Sequence, residues 1–376
     1  MTFEQLNLIQ PLIDAVRRKG YETPTPIQQQ SIPHILNRND LFGCAQTGTG
    51  KTAAFALPLL QLLTVDNNNR PQRGIRVLIL APTRELVQQI NESFTAYGHG
   101  TKIRHTSIYG GVSQRNQVIA LKKGVDIVIA TPGRLQDLLQ QGFITLDTVR
   151  YFVLDEADRM LDMGFIDDIK RIISKLPSQR QTIFFAATIT PEIRKLSGAL
   201  LRNPVNVTVS PVSSTSELIS QSVYYVKKED KKQLLKHVMQ SHSVANALVF
   251  TRTKRGADKV ARDLQSNGIK AGAIHGDKSQ NNREQTLKGF KQGRIRVLVA
   301  TDVASRGIDI DKLSHVINYE IPEQAETYVH RIGRTGRAGS QGTALSFCAS
   351  EEKSYMKKIH KLIRKEISVV KLHPFQ

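Results

Sequence analysis

Tryptophan is absent from the 376 residues, and aromatic side chains make up only 6% of them. Cysteine is nearly absent too: Cys44 and Cys348 are the only two, and they stand far apart. Two isolated thiols make neither a metal-ligand spacing nor a disulfide framework. Both lie in apolar runs, which predicts buried, reduced thiols and suits a cytosolic protein. No apolar run approaches the roughly 20 residues of a membrane helix. The opening Met1-Thr2-Phe3-Glu4-Gln5 has no basic region followed by an apolar stretch, so no secretory signal is expected. Acidic residues are scarce relative to basic ones: 33 Asp and Glu against 53 Lys and Arg, a formal charge of +20 and a pI near 10. Such an excess is self-repelling and points to a polyanionic partner, most simply nucleic acid. A surface charged only for solubility is the plainer alternative.

One short stretch stands out against this background: Ala45-Gln46-Thr47-Gly48-Thr49-Gly50-Lys51-Thr52. It follows the apolar Leu41-Phe42-Gly43-Cys44 and precedes Ala53-Ala54-Phe55-Ala56-Leu57, so it reads as strand, tight loop, helix. That is the context a phosphate-binding loop requires. Gly48 and Gly50 permit a tight turn close to an anion, and the N–H groups at the helix start face it. Lys51 would reach the terminal phosphates and the Thr52 hydroxyl would sit on Mg²⁺. The first position is Ala45 where the motif has Gly. A Gly-rich turn before an ordinary helix is the competing reading.

Around the loop the chain alternates apolar strands with helical stretches. Leu6, Leu8, Ile9, Leu12, Ile13 and Val16 predict a first helix ended by Gly20. Pro26 then opens a second helix carrying Gln28, whose amide could read a base edge. Val77–Leu80, Ile127–Ile129, Tyr151–Leu154 and Thr182–Phe185 each read as a buried strand feeding a polar loop and a helix. This pattern predicts a parallel sheet covered on both faces, with ligands outside the carboxyl ends of the strands. The small polar run Ser210–Ser216 reads as a linker. A second set of strands follows it, with no phosphate loop. The expected organisation is an N-terminal domain at 1–210, a linker at 211–220 and a C-terminal domain at 221–376. Residues 1–210 carry 24 basic and 17 acidic side chains (+7), and 211–376 carry 29 and 16 (+13), so a polyanion could lie across both.

Asp155 and Glu156 follow an apolar strand. A carboxylate there can hold Mg²⁺, usually through water, and Glu156 can activate a water against the γ-phosphate. An acidic cluster favoured by a helix N-terminus is the alternative. His330-Arg331-Ile332-Gly333-Arg334-Thr335-Gly336-Arg337 puts Arg334 and Arg337 three apart, which on one helical turn would aim two guanidiniums the same way, as for a triphosphate. Thr83-Arg84 and Thr131-Pro132-Gly133-Arg134 sit at expected helix starts, where they cap helices or hold nucleic-acid phosphates. Gly110-Gly111 would allow a close backbone approach. With so few aromatics, base stacking is not expected to dominate, and backbone contacts imply little sequence specificity.

Phosphate loop, Asp155-Glu156-Ala157-Asp158 and His330 to Arg337, in that order on two α/β domains, resemble a DEAD-box RNA helicase over nearly the whole chain. Tyr21 to Gln28 resembles that family's Q motif (1–29 with its upstream Phe3), which implies that Gln28 reads adenine and Tyr21 stacks on it. The resemblance implies α/β architecture with two tandem RecA-like parallel-sheet domains and a short flexible linker. It implies ATP and Mg²⁺, and a nucleotide held by Tyr21, Gln28, residues Ala45 to Thr52 and Asp309, the last on the ribose. Arg334 and Arg337 would contact the γ-phosphate. Implied RNA contacts are Thr83, Arg84, Gly110, Gly111, Thr131, Arg134, Thr253, Gly276 and Thr301. Asp158, Ala186, Thr188 and Arg306 would couple the two activities. Leu161-Asp162-Met163-Gly164-Phe165 and the ending near His373-Pro374-Phe375 look most like the bacterial RhlE-type group.

One motif departs from the family. Ala186-Ala187-Thr188 stands where it usually has Ser-Ala-Thr, so at least one hydrogen bond, about 0.5–1.5 kcal/mol net, is missing. The expectation is ATP hydrolysis with weakened coupling to strand separation. The rival readings are an ATP-gated RNA clamp or annealing chaperone that opens little duplex, and a DNA-directed motor. A cytoplasmic monomer is expected. Beyond the two domains there is no recognisable RNA-binding module or basic tail, so target choice is weak or supplied by partner proteins.

Overall fold

The computed structural model describes all residues except 47, 70–73, 210–218, 241–243, 303–312, 337–340, 364–365 and 376. Thr47, Arg306, Asp309 and Arg337, and most of the expected linker, therefore lie outside the described residues. The chain divides into two units, Met1–Pro211 and Val212–Gln376.

The first unit is built on seven parallel strands: β1 (Leu41–Cys44), β2 (Val77–Leu80), β3 (His105–Ile108), β4 (Ile127–Ala130), β5 (Tyr151–Leu154), β6 (Gln181–Ala186) and β7 (Val205–Thr208). Their order across the sheet is β3-β4-β2-β5-β6-β1-β7. The central strands are apolar throughout because both faces are covered. Val77, Ile79, Val153, Ile183 and Phe185 face one apolar cluster. Leu78, Leu80, Phe152, Leu154, Phe184 and Ala186 face the other. The edge strands β3 and β7 carry His105-Thr106-Ser107 and Asn206, are only partly covered, and have no apolar run to announce them.

Nine helices of this unit are described: α1 (Gln10–Arg18), α2 (Pro26–Leu36), α3 (Lys51–Asn69), α4 (Arg84–Tyr97), α5 (Arg115–Lys122), α6 (Pro132–Gln140), α7 (Ala157–Asp162), α8 (Ile166–Ile173) and α9 (Pro191–Leu200). The first is shorter than its apolar spacing predicts. It starts at Gln10 with Pro11 in its first turn, while Leu6 and Leu8 are buried from a 3₁₀ turn and the segment after it.

The second unit repeats the plan. Strands β8 (Ile219–Tyr225), β9 (Ala247–Thr251), β10 (Ala271–Ile274), β11 (Val297–Thr301), β12 (His315–Asn318), β13 (Gly342–Cys348) and β14 (Ser368–Val369) are all parallel, in the order β10-β11-β9-β12-β13-β8-β14. Adding seven to each strand number of the first sheet gives the second, so the two units share one topology. The described helices are α10 (Lys231–Gln240), α11 (Lys254–Gln265), α12 (Gln280–Lys291), α13 (Ala325–Ile332) and α14 (Lys353–Ile363). Among the described residues no helix is long and apolar enough to cross a membrane. Both cysteines are free thiols. Cys348 is buried as expected, whereas Cys44 is only half-buried. Burial still pushes both thiols above their usual range, which keeps them protonated.

Candidate functional site

The loop after β1 turns through Gly48 and Gly50, at φ of 83° and 90°, a region other residues rarely adopt. Gly50 is also crowded: a Cβ there would lie 2.4 Å from Nε2 of Gln28. That closeness belongs to a hydrogen bond, since the Gln28 amide donates to the Gly50 carbonyl at 3.1 Å. Its Oε1 accepts the Thr25 backbone N–H at 3.0 Å, as half of a capping box at the start of α2. Gln28 is thus buried and braces the phosphate loop, so an amide that by itself reads as surface decoration is part of the site. The Thr25-x-x-Gln28 spacing is the sequence signal for this. Tyr21 is exposed and its hydroxyl meets that of buried Tyr97, while Phe3 is packed in the core.

Lys51, the first residue of α3, is 6% exposed and donates to the Ala45 carbonyl at 2.9 Å. The Thr49 hydroxyl donates to Gln46 O at 2.8 Å, and the Ala45 N–H donates to Ala186 O at 3.0 Å. The loop is therefore anchored to the end of the neighbouring strand β6. Gln46, Gly48 and Thr49 complete the turn, and Thr52 is the second residue of α3.

Asp155 and Glu156 leave β5 at the same edge of the sheet. Asp155 is fully buried, and burial pushes its carboxyl up to about 6; the Lys51 charge opposes this and Glu156 reinforces it. Its Oδ1 accepts the Glu156 N–H at 2.9 Å. Glu156 is held in the left-handed region at φ 52° and ψ 50°, a conformation that costs a non-glycine residue about 1–2 kcal/mol. Its carboxylate pairs with Arg159 one turn later in α7. Strain of this kind concentrates at functional sites.

Asp158 faces the segment after β6. Its Oδ2 accepts the Ala187 N–H at 3.1 Å, the Thr188 N–H at 2.9 Å and the Thr188 hydroxyl at 2.8 Å. Ala186 itself ends β6, fully buried in the apolar cluster with Phe184 and Met160, beside Cys44 across the strand pair. The link from the acidic loop to this segment runs through Ala187 and Thr188. These three bonds are made without a hydroxyl at position 186.

A second cluster gathers at the ends of β2, β4 and β3. Thr83 caps α4, accepting the Leu86 N–H at 3.3 Å, and Arg84 begins that helix. Arg84 lies flat across the Gly110-Gly111 turn. A Cβ on Gly111, at φ 78°, would sit 1.9 Å from Arg84 Nη1, whereas one on Gly110 would meet only an ordinary contact at 3.6 Å. The close approach foreseen for the two glycines is thus made by an arginine of the same unit. Arg134, one turn into α6, donates from both terminal nitrogens to Val112 O at 3.3 Å. Thr131 is the N-cap of α6 without a side-chain cap bond. The sheet order places the acidic loop after β5 between this cluster, on β2, β4 and β3, and the phosphate loop on β6 and β1.

In the second unit Thr253, Gly276 and Thr301 follow or end β9, β10 and β11, which are adjacent in its sheet. Thr253 caps α11 by accepting the Gly256 N–H at 3.0 Å. Gly276 follows buried His275, whose Nε2 lies 3.0 Å from Asp258 Oδ1. Arg334 is not on the helical turn expected for it. Helix α13 stops at Ile332, and Gly333 and Gly336 turn the chain, Gly336 at φ 66°. Arg334 lies beyond the helix end, 8% exposed, with Nε donating to His330 O at 3.3 Å; Arg337 lies outside the described residues. Arg331, which the sequence does not single out from its neighbours, is firmly held. It is 2% exposed and forked onto Asp302 at 2.6 and 2.7 Å, with further bonds to Asn318 Oδ1 at 3.1 Å and Glu320 O at 2.7 Å. Its guanidinium lies 4.9 Å over the Phe250 ring.

Two family models match the chain: DEAD/DEAH box helicase over residues 25–196 and helicase conserved C-terminal domain over residues 230–339. The chain is 42% identical over 366 residues to the ATP-dependent RNA helicase CshA of Limosilactobacillus reuteri, covering 97% of this chain and 72% of that protein. It is 43% identical over 375 residues to the ATP-dependent RNA helicase DeaD of Haemophilus influenzae, covering 99% of this chain and 60% of that one. Among solved structures it resembles S. cerevisiae Dbp5 bound to RNA and ADP BeF3, with a TM-score of 0.87 at 31% identity over 98% of this chain and 95% of that one. Mss116p bound to ssRNA and AMP-PNP gives 0.89 at 29% identity over 100% and 80%. The chain belongs to the DEAD-box family of superfamily 2 RNA helicases, and its two sheets are the tandem RecA-like domains of that family.

Proposed function

We propose that this protein is an RNA-stimulated ATPase that uses ATP·Mg²⁺ to open short RNA duplexes locally. The observation that carries the reading is the position of the acidic loop after β5, with the phosphate loop on one side and the Thr83, Arg84 and Arg134 cluster on the other. One rigid sheet edge then feels both ligands. Gln28 and Tyr21 select adenine, and Lys51 with the loop N–H groups hold the phosphates. Thr52 and Asp155 offer hard oxygens for Mg²⁺, which polarises the phosphates when bound. Among the described residues no three His, Cys, Asp or Glu side chains are placed to hold a metal ion by themselves. That donor set suits an ion that keeps waters and phosphate oxygens as ligands. Glu156 orients the attacking water, and Arg334 and Arg337 stabilise the charge that develops in transfer. Asp309 holds the ribose, Thr253, Gly276 and Thr301 add RNA backbone contacts, and Arg306 serves coupling. Placement in the RhlE-type group, a cytoplasmic setting, a monomeric state and protein partners for targeting belong to the same proposal.

Gly111→Ala tests the second cluster. A methyl there displaces the Arg84 guanidinium and strains the turn, so the RNA concentration for half-maximal ATPase is expected to rise about tenfold, the scale of one charged contact. Gly110→Ala should change it little. Equal effects from both would remove Arg84 from the RNA site.

Ala186 favours a second reading, an RNA clamp that hydrolyses ATP with little duplex opening. The two readings separate in a short-duplex unwinding assay. Ala186→Ser is expected to raise the base pairs opened per ATP, with hydrolysis itself changed by less than the loss of any Asp158 contact would cause. No rise would mean that coupling does not pass through position 186.

A further inference from the structure

Helix α14 is amphipathic. Met356 and Ile359 are buried against the second unit, and Lys353, Lys357, Lys358 and Lys361 are exposed on the opposite side. Lys353, Lys357 and Lys361 recur every fourth residue, so they form one row about 6 Å apart along the helix axis. Like charges at that spacing repel, and a lysine at the N-terminal end also opposes the helix dipole. The usual remedy, an acidic residue one turn away on the same helix, is missing, because the helix contains no Asp or Glu. Of the two carboxylates just before the helix, Glu351 pairs with Lys228 and Glu352 with Lys231 and Arg252. Among the described residues none of the four lysines makes an ion pair, and only Lys353 has a further contact, 5.7 Å above the Tyr225 ring. Residues 353–376 hold seven basic side chains and one acidic, +6 of the +13 carried by 211–376. These positions belong to the second unit itself, and a quarter of its basic residues lie in its last 24 positions.

We propose that the lysine row of α14 is a second RNA-binding surface, which holds the backbone of an RNA segment flanking the one engaged at Thr253, Gly276 and Thr301. The proposal rests on the RNA-directed reading above. An RNA backbone fits because it supplies regularly spaced negative charge without demanding a base-specific pocket, and the row offers only flexible, strongly hydrated point charges. The lysines then act on affinity and salt dependence and leave hydrolysis alone. They lie outside every group assigned to the nucleotide.

The test compares two RNA probes, a short single strand and the same strand extended by a hairpin. The unaltered protein is expected to bind the extended RNA about tenfold more tightly. In K357Q/K358Q/K361Q that advantage disappears, and the slope of log affinity against log salt for the extended RNA falls by about 2, from about 0.7 per phosphate contact on a single strand. Affinity for the short strand and ATPase without RNA stay as they were. The control K170Q/R171Q/K175Q, on exposed positions of α8 and the turn after it, removes the same charge and should keep the advantage. An unchanged ratio between the two probes in the α14 variant, or an equal loss in the α8 control, overturns the proposal. Failure of either RNA to stimulate the unaltered protein would instead overturn the RNA-directed reading.

Discussion

Asp155→Asn is expected to raise the thermal stability of the ligand-free protein while abolishing Mg²⁺-dependent ATP hydrolysis. Burial lifts the Asp155 carboxyl from 3.8 to about 6, so the folded state prefers it protonated. A raised carboxyl helps the fold below the unfolded value near 4, and that help is lost as pH rises through 6. At pH 7.5 the ionised carboxylate costs the fold about 2–3 kcal/mol, from roughly two pKa steps at 1.36 kcal/mol each. Asparagine removes that cost and keeps the oxygen that accepts the Glu156 N–H. For a unit of this size the melting temperature should rise by about 4–10 °C, and the gain should vanish when melts are run near pH 4. With ATP·Mg²⁺ the order inverts, because the unaltered carboxylate binds the ion and is stabilised by mass action, whereas the variant gains little. A variant less stable at pH 7.5 without ligand would show that Asp155 is a structural carboxylate.

Arg331→Ala should unfold the second unit. The guanidinium is almost completely buried, forked onto Asp302 and bonded to Asn318 and Glu320. Removing it leaves the buried Asn318 amide oxygen and the Asp302 carboxylate, whose side chain is 26% exposed, without their donor, at a cost of about 2–4 kcal/mol and a large share of a domain's stability. The core of the first unit is made of that unit's own residues, so its melting transition should persist. Calorimetry would then show one transition where the unaltered protein shows the contribution of both units. Loss of activity with both transitions intact would instead make Arg331 a functional group.

The strands that carry the sites were legible because they are buried on both faces and read as continuous apolar runs. β1, β2, β4 and β5 begin at Leu41, Val77, Ile127 and Tyr151 as read, and β6 begins at Gln181, one residue before the Thr182 expected. The edge strands β3 and β7 of the first sheet were not legible, since one flank of each is uncovered and polar residues are tolerated there. The phosphate loop and the acidic loop declare themselves by spacing alone. Gln28 needed its capping partner Thr25 to be recognised as buried. Arg331 and Arg334 look alike in a run of arginines and glycines, and only tertiary packing separates the structural group from the one beyond the helix end. Gly111 was legible as a close approach, but the group that approaches, Arg84, is 27 positions away and could not be read from spacing. Topology was legible as a class, while the equivalence of the two sheets, strand for strand, appears only in the structure.

The central claim is that nucleotide hydrolysis answers to RNA. Its most direct test is the steady-state ATPase rate of the unaltered protein with RNA, with DNA of the same sequence, and with neither. The account predicts a slow basal rate, strong stimulation by RNA and little by DNA. The same rate in all three, or stimulation by DNA alone, would contradict it.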